Sequence, residues 1–147
     1  MLIAFHSQSG TSAQLAHAAF IGARAEDPSA RLLLCVEAGS LEVQDASGLL
    51  LVCAENSGRL AGGAKDFLDR IFYPLIECGG GKPYALLISA GNDGSGAVAE
   101  ARRIFRGIPF SEALEPVVVR GEPDADALLH ARELGAGFAA GLAMGLF

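Results

Sequence analysis

The chain carries no run of basic residues. Its 11 Lys and Arg are outnumbered by 17 Asp and Glu, for a net charge of −6. That composition excludes nucleic acid and anionic membrane surfaces as expected partners. The three cysteines show neither a CxxC pair nor a metal-ligand spacing. Cys35 and Cys53 sit inside apolar runs, so they read as buried thiols in a reducing compartment rather than a disulfide frame. The opening MLIAFHSQSG lacks a basic n-region and a cleavage site, and no signal peptide is expected. The apolar stretch 134–147 is too short to span a bilayer. The expected location is the cytoplasm. No catalytic triad, paired-carboxylate or zinc pattern occurs, so no catalytic or metal-ligating residue is assigned. There is no internal repeat, linker or low-complexity tract.

What is present is apolar periodicity. A length of 147 residues, 51% of them hydrophobic, suits one domain over 1–147 with one proper core. Short wholly apolar runs at 2–5, 31–37, 49–54, 84–89 and 116–120 read as strands. Between them lie helical patterns at 11–24, 61–73 and around Val98, Ala101 and Phe105, with a last one from 124 to about 146. In the 61–73 segment Ala64, Phe67, Leu68, Ile71 and Phe72 share one face. Pro74 is expected to end or kink that helix. Only residues 38–48 join the second and third strands, so a single helical turn around 41–45 must make the crossover. Strands that are apolar throughout are buried on both faces, which is the mark of a parallel sheet between helix layers. The expected fold class is α/β, a doubly wound five-stranded parallel sheet.

In such a sheet ligands sit beyond the carboxyl ends of the strands, where strand order reverses. Three polar, glycine-rich loops stand at that edge: HSQSGTS after strand one, ENSGRLAGG after strand three, and AGNDGSG after strand four. The loops at the opposite edge, EDPS and GGGKP, hold ordinary turn residues. In the first loop Ser7, Ser9, Thr11 and Ser12 surround Gly10 just ahead of a helix. A curled backbone, a helix N-terminus and hydroxyl donors together form an uncharged nest for a phosphate. The loop is neither a GxxxxGK[ST] nor a GxGxxG motif. Taken alone it reads more readily as capping and turn chemistry. The three loops together favour a ligand.

These segments resemble the flavodoxin-like family, which includes small flavodoxins and NAD(P)H-dependent FMN reductases. HSQSGTSAQLA is similar to that family's phosphate loop and first helix. AENSGRLAGGAKDFLDRIFYP is similar to its second loop and third helix. The resemblance extends over nearly the whole chain, through ARELGAGFAAGLAMGLF. It implies strand order 2-1-3-4-5 and FMN as cofactor. Ser7, Ser9, Gly10, Thr11 and Ser12 would wrap the phosphate. Glu55, Asn56, Ser57, Gly58, Arg59 and Leu60 would flank the ring on one side, and Gly91, Asn92, Asp93 and Gly94 on the other. Ala54 stands where the family has Pro. Ser57 and Arg59 stand where it often has aromatics, so ring stacking would fall to Leu60 or the Arg59 guanidinium.

Two function classes follow. In one, the chain is an FMN-binding redox protein, either a shuttle that takes electrons from a partner or an oxidoreductase that takes hydride from NAD(P)H, passing them to a small acceptor or a protein partner. In the other, it is a flavodoxin-like binding or regulatory module without flavin. Arg59 is the candidate to meet a nicotinamide cofactor's phosphate. His6 lies at the ligand edge and reads as structural. Asp93 fits either a ring contact or an Asx-turn. A homo-oligomer is expected, with RIFYPL at 70–75 as part of its interface.

Overall fold

The computed structural model describes residues 1–79 and 81–147. Gly80, within the GGGKP turn, lies outside the described residues. In chain order the elements are β1 (Leu2–Phe5), α1 (Thr11–Glu26), β2 (Arg31–Leu34), α2 (Ser40–Asp45), β3 (Leu49–Asn56), β4 (Arg59–Leu60), α3 (Gly62–Glu77), β5 (Pro83–Ala90), α4 (Ser95–Gly107), β6 (Ser111–Glu112), β7 (Val117–Arg120) and α5 (Ala125–Ala143).

β1 lies between β2 and β3, and β3 pairs with β5, all in parallel. The outer edge of β5 carries β6 against Pro83 and Tyr84, and β7 against Leu87 to Ala90. Together β6 and β7 form one interrupted edge strand, so the order is the expected 2-1-3-4-5. The interruption covers residues 113–116 and ends on Pro116, which has no N–H to give to a ladder.

Successive strand residues alternate between two cores, as the pleat requires. Leu2, Ala4, Leu49, Leu51, Leu86 and Ile88 pack beneath α3 and α4 with Phe67, Leu68, Ile71 and Phe105. Ile3, Leu50, Val52 and Leu87 pack beneath α1 and α5 with Leu15, Ala19 and Phe138. The α1–α5 layer is closely set because Gly22 and Gly135 have no side chain. A Cβ on Gly22 would strike the Arg132 carbonyl, and one on Gly135 the Ala19 carbonyl.

Three boundaries differ from expectation. β2 stops at Leu34, because the Glu37 and Ala38 N–H groups both turn back to the Leu34 carbonyl. α3 passes through Pro74 to Glu77, since burial of Leu75 in the core holds the last turn in place. β3 runs past Ala54 into a hairpin with β4. Within RIFYPL, Ile71 and Leu75 are buried, and Tyr73 is the large side chain most exposed. The apolar surface offered there is therefore narrower than the sequence suggests. Among the described residues no helix is long and apolar enough to cross a membrane.

Candidate functional site

The first loop turns at the carboxyl end of β1. His6 still bonds through its N–H to the Val52 carbonyl, and the chain then folds back toward α1. The Ser7 Oγ accepts from the Gly10 N–H at 3.1 Å and braces the turn. Gly10 caps the helix at φ +98°, a left-handed conformation in which a glycine is unstrained. The first helical bond runs from the Gln14 N–H to the Gly10 carbonyl. The N–H groups of Thr11, Ser12 and Ala13 therefore point out of the helix end, and among the described residues none of them meets a protein acceptor. The Ser9 and Thr11 hydroxyls lie 3.4 Å apart at the same end. Ser12 turns inward instead. Its Oγ is 2.8 Å from the Ser89 Oγ, and both residues are buried. The hydroxyl of Ser12 thus joins α1 to β5, and its N–H remains part of the open helix end.

The second loop is a hairpin. Glu55 pairs with Leu60 and Asn56 with Arg59, leaving Ser57 and Gly58 as a two-residue turn. Both turn residues have positive φ, 51° and 71°, as a type I′ turn demands. The Glu55 Oε1 accepts from the Gly96 N–H at 3.0 Å and the Ala97 N–H at 3.2 Å. The Leu60 N–H donates to Glu100 Oε2 at 2.9 Å. Asn56 Nδ2 donates to Gln8 Oε1 at 3.0 Å, which ties the hairpin to the first loop. Arg59 is exposed at the start of β4.

The third loop caps α4. Asp93 Oδ1 accepts from the Ser95 N–H at 3.0 Å and the Ser95 hydroxyl at 2.8 Å. Those bonds, from the backbone first, hold its carboxyl below the usual range, and the charge of Arg120 adds to them. Asp93 therefore takes the Asx-type capping role. The Val98 N–H makes the first helical bond, to the Gly94 carbonyl. Every earlier N–H of α4 thus has a carboxylate acceptor, Asp93 for Ser95 and Glu55 for Gly96 and Ala97. Two glycine-capped helices meet this edge of the sheet. The N-terminus of α4 is closed by the protein's own carboxylates, and that of α1 is open.

A cavity of about 340 Å³ opens beside α1, lined by Ser9, Thr11, Ala54, Glu55, Ser89, Ala90, Gly91, Gly121 and Glu122. Of the expected site residues it brings together Ser9, Thr11, Glu55 and Gly91. Ser7, Gly10, Ser12, residues 56–60 and residues 92–94 do not line it. Ser89, Gly121 and Glu122 lie outside the expected set. Gly121 and Glu122 directly follow β7 at the same carboxyl edge, so the rule that picked out the other loops would have found them. Ser89 is a polar residue near the end of an otherwise apolar strand, a weaker signal. The lining contains no Lys, Arg or aromatic side chain. His6 lies apart, against α3, where a Cβ on Gly63 would collide with its ring. Among the described residues no cluster of side chains suits a metal ion.

No family model and no curated protein matches the chain. Solved structures do match it in fold. The chain is similar to a flavodoxin from the domain Archaea, with a TM-score of 0.85 and 17% identity, over 97% of each chain. It is similar to the flavodoxin, WrbA-like protein from Agrobacterium tumefaciens, with a TM-score of 0.81 and 14% identity, over 97% of this chain and 96% of that one. It also matches rubredoxin oxygen:oxidoreductase from Desulfovibrio gigas, with a TM-score of 0.84 and 17% identity. There 99% of this chain spans 36% of the larger protein. The fold is flavodoxin-like.

Proposed function

We propose that the chain is an FMN-binding redox protein. The observation that carries this reading is the open N-terminus of α1. Three N–H groups without protein acceptors and two hydroxyls stand beside a cavity at the carboxyl edge of a flavodoxin-like sheet. This donor set fits a phosphate monoester: it offers N–H and O–H donors and the positive end of a helix dipole. Glu55, the carboxylate on β3, is turned toward α4 and accepts there from backbone donors. FMN, when bound, supplies hydride and electron transfer through its ring.

The residues of this chain bind and orient that group. Ser9 and Thr11 would hold the phosphate, Ser7 keeps the turn in shape, and Ser12 fixes α1 to the sheet. Hairpin 55–60 and loop 91–94 would flank the ring, with Gly58 and Gly91 leaving room for a flat ligand. NAD(P)H is the donor that suits this reading, and a small molecule or a protein partner the acceptor. Arg59, exposed on β4, would meet the phosphate of the nicotinamide cofactor. The test is steady-state NAD(P)H oxidation by the FMN-loaded protein with a quinone acceptor. Arg59→Ala should raise the nicotinamide KM several-fold and leave FMN affinity nearly unchanged. Loss of FMN in that variant would instead place the guanidinium on the ring. No change in either quantity would leave Arg59 as plain surface.

A further inference from the structure

A two-rung hairpin is not stable by itself in water. Residues 55–60 nevertheless have a defined place; Asn56 ties the tip to Gln8 of the first loop, and the other side-chain contacts that fix it come from α4. At the entering strand, the Glu55 carboxylate spans the Gly96 and Ala97 N–H groups. At the returning strand, the Leu60 N–H reaches the Glu100 carboxylate, one helical turn further along the same face. At the tip, the Gly58 carbonyl lies so close to Gly96 that a Cβ there would collide with it.

We infer that Glu55 and Glu100 form a two-carboxylate latch that seats the hairpin on α4 before any ligand arrives, which makes Glu55 a positioning residue for one wall of the flavin ring site. The latch satisfies both sides at once. α4 obtains acceptors for two N–H groups that its own chain leaves unpaired, and β4 obtains one for an N–H at the sheet margin. Carboxylates serve here because bonds from N–H to a charged acceptor are about twice as strong as neutral ones. The tip contact adds a steric key, since only glycine at position 96 admits the Gly58 carbonyl. The ring-wall part of this inference rests on the flavin reading above; the latch itself does not.

The experiment has two arms. In the first, amide hydrogen exchange is measured on the flavin-free protein. Glu55→Ala should speed exchange at Gly96 and Ala97 by about tenfold or more, the equivalent of one hydrogen bond to a charged group. Glu55→Gln keeps an acceptor oxygen and should recover most of the protection. Gly96→Ala is a second variant, kept folded by alanine's better helix propensity. It should speed exchange at Leu60 with both carboxylates in place, because the hairpin is pushed off the helix. Unchanged exchange at Gly96 and Ala97 in Glu55→Ala overturns the latch, whether or not flavin binds. In the second arm, riboflavin and inorganic phosphate are titrated separately. Glu55→Ala should weaken riboflavin about tenfold and leave phosphate unchanged, because the ring wall moves and the α1 end does not. If exchange rises and riboflavin affinity stays the same, Glu55 does not position the ring. If the parent protein binds neither riboflavin nor FMN, the flavin reading fails and the exchange arm alone decides the latch.

Discussion

Thr11 and Ser12 are neighbours with opposite roles. Thr11 stands at the cavity beside Ser9, and Ser12 points into the protein toward Ser89. Sequence spacing could group them as hydroxyls around Gly10, but it could not tell which ones face out. A helix turns its side chains by roughly 100° per residue, so adjacent positions diverge. The proposed phosphate site makes a direct forecast. Thr11→Glu places a carboxylate at the open helix end, and FMN binding should be abolished through like-charge repulsion. Fluorescence titration checks it, and parent-like affinity would move the phosphate elsewhere. The missing aromatics make a second forecast. Asn92→Tyr in the third loop should strengthen flavin binding by up to about tenfold, since a stacked ring contributes roughly 1 kcal/mol. An unchanged dissociation constant would mean that loop 91–94 does not border the ring.

At the scale of elements, the strands and helices were legible because the sheet is buried on both faces and its strands are apolar throughout. The short crossover helix α2 lies where chain length demanded it, at Ser40–Asp45. The hairpin was less legible. Its Ser-Gly turn signal was present at Ser57 and Gly58, but β4 has only two residues and shows no periodicity. The carboxylates that seat it come from strand and helix positions far apart in sequence, which no local pattern can connect. The same holds at the split edge strand. Glu112 on β6 accepts from the Tyr84 hydroxyl at 2.9 Å and from Arg102 Nε at 2.8 Å. The Arg102 bond, with help from Tyr84, outweighs partial burial and holds the Glu112 carboxyl below the ordinary value of 4.5. A depressed carboxylate contributes stability that is full above its unfolded pKa and is lost as pH falls through the folded one. Thermal midpoints should therefore fall with acid below about pH 4.5, and Glu112→Gln should flatten that slope. Equal slopes in parent and variant would remove Glu112 from the acid response.

For the whole molecule, the two cores follow from the apolar pattern, and the strand order from the family resemblance. The choice of ligand end depends on topology: β1 and β3 are neighbours whose following helices leave on opposite faces of the sheet, and the first and second loops part there. Two helices with glycine caps reach that edge. Composition treats them alike, yet one is sealed by Asp93 and Glu55 while the other is open. That difference is tertiary, and it is what locates the phosphate in this account. Cys35 and Cys53 are buried free thiols, as the sequence reading expects, and Cys78 is an exposed one. Burial pushes the Cys35 thiol up to about 12, which keeps it protonated and unreactive at neutral pH.

On the proposed reading, the open end of α1 holds the phosphate of a flavin. The most direct test is a pair of fluorescence titrations of the purified chain, one with FMN and one with riboflavin, which differ only in the phosphate. FMN should bind at one per chain and at least tenfold more tightly than riboflavin, the margin of a single charge-assisted hydrogen bond. Equal affinity for the two, or no binding of FMN, would contradict it.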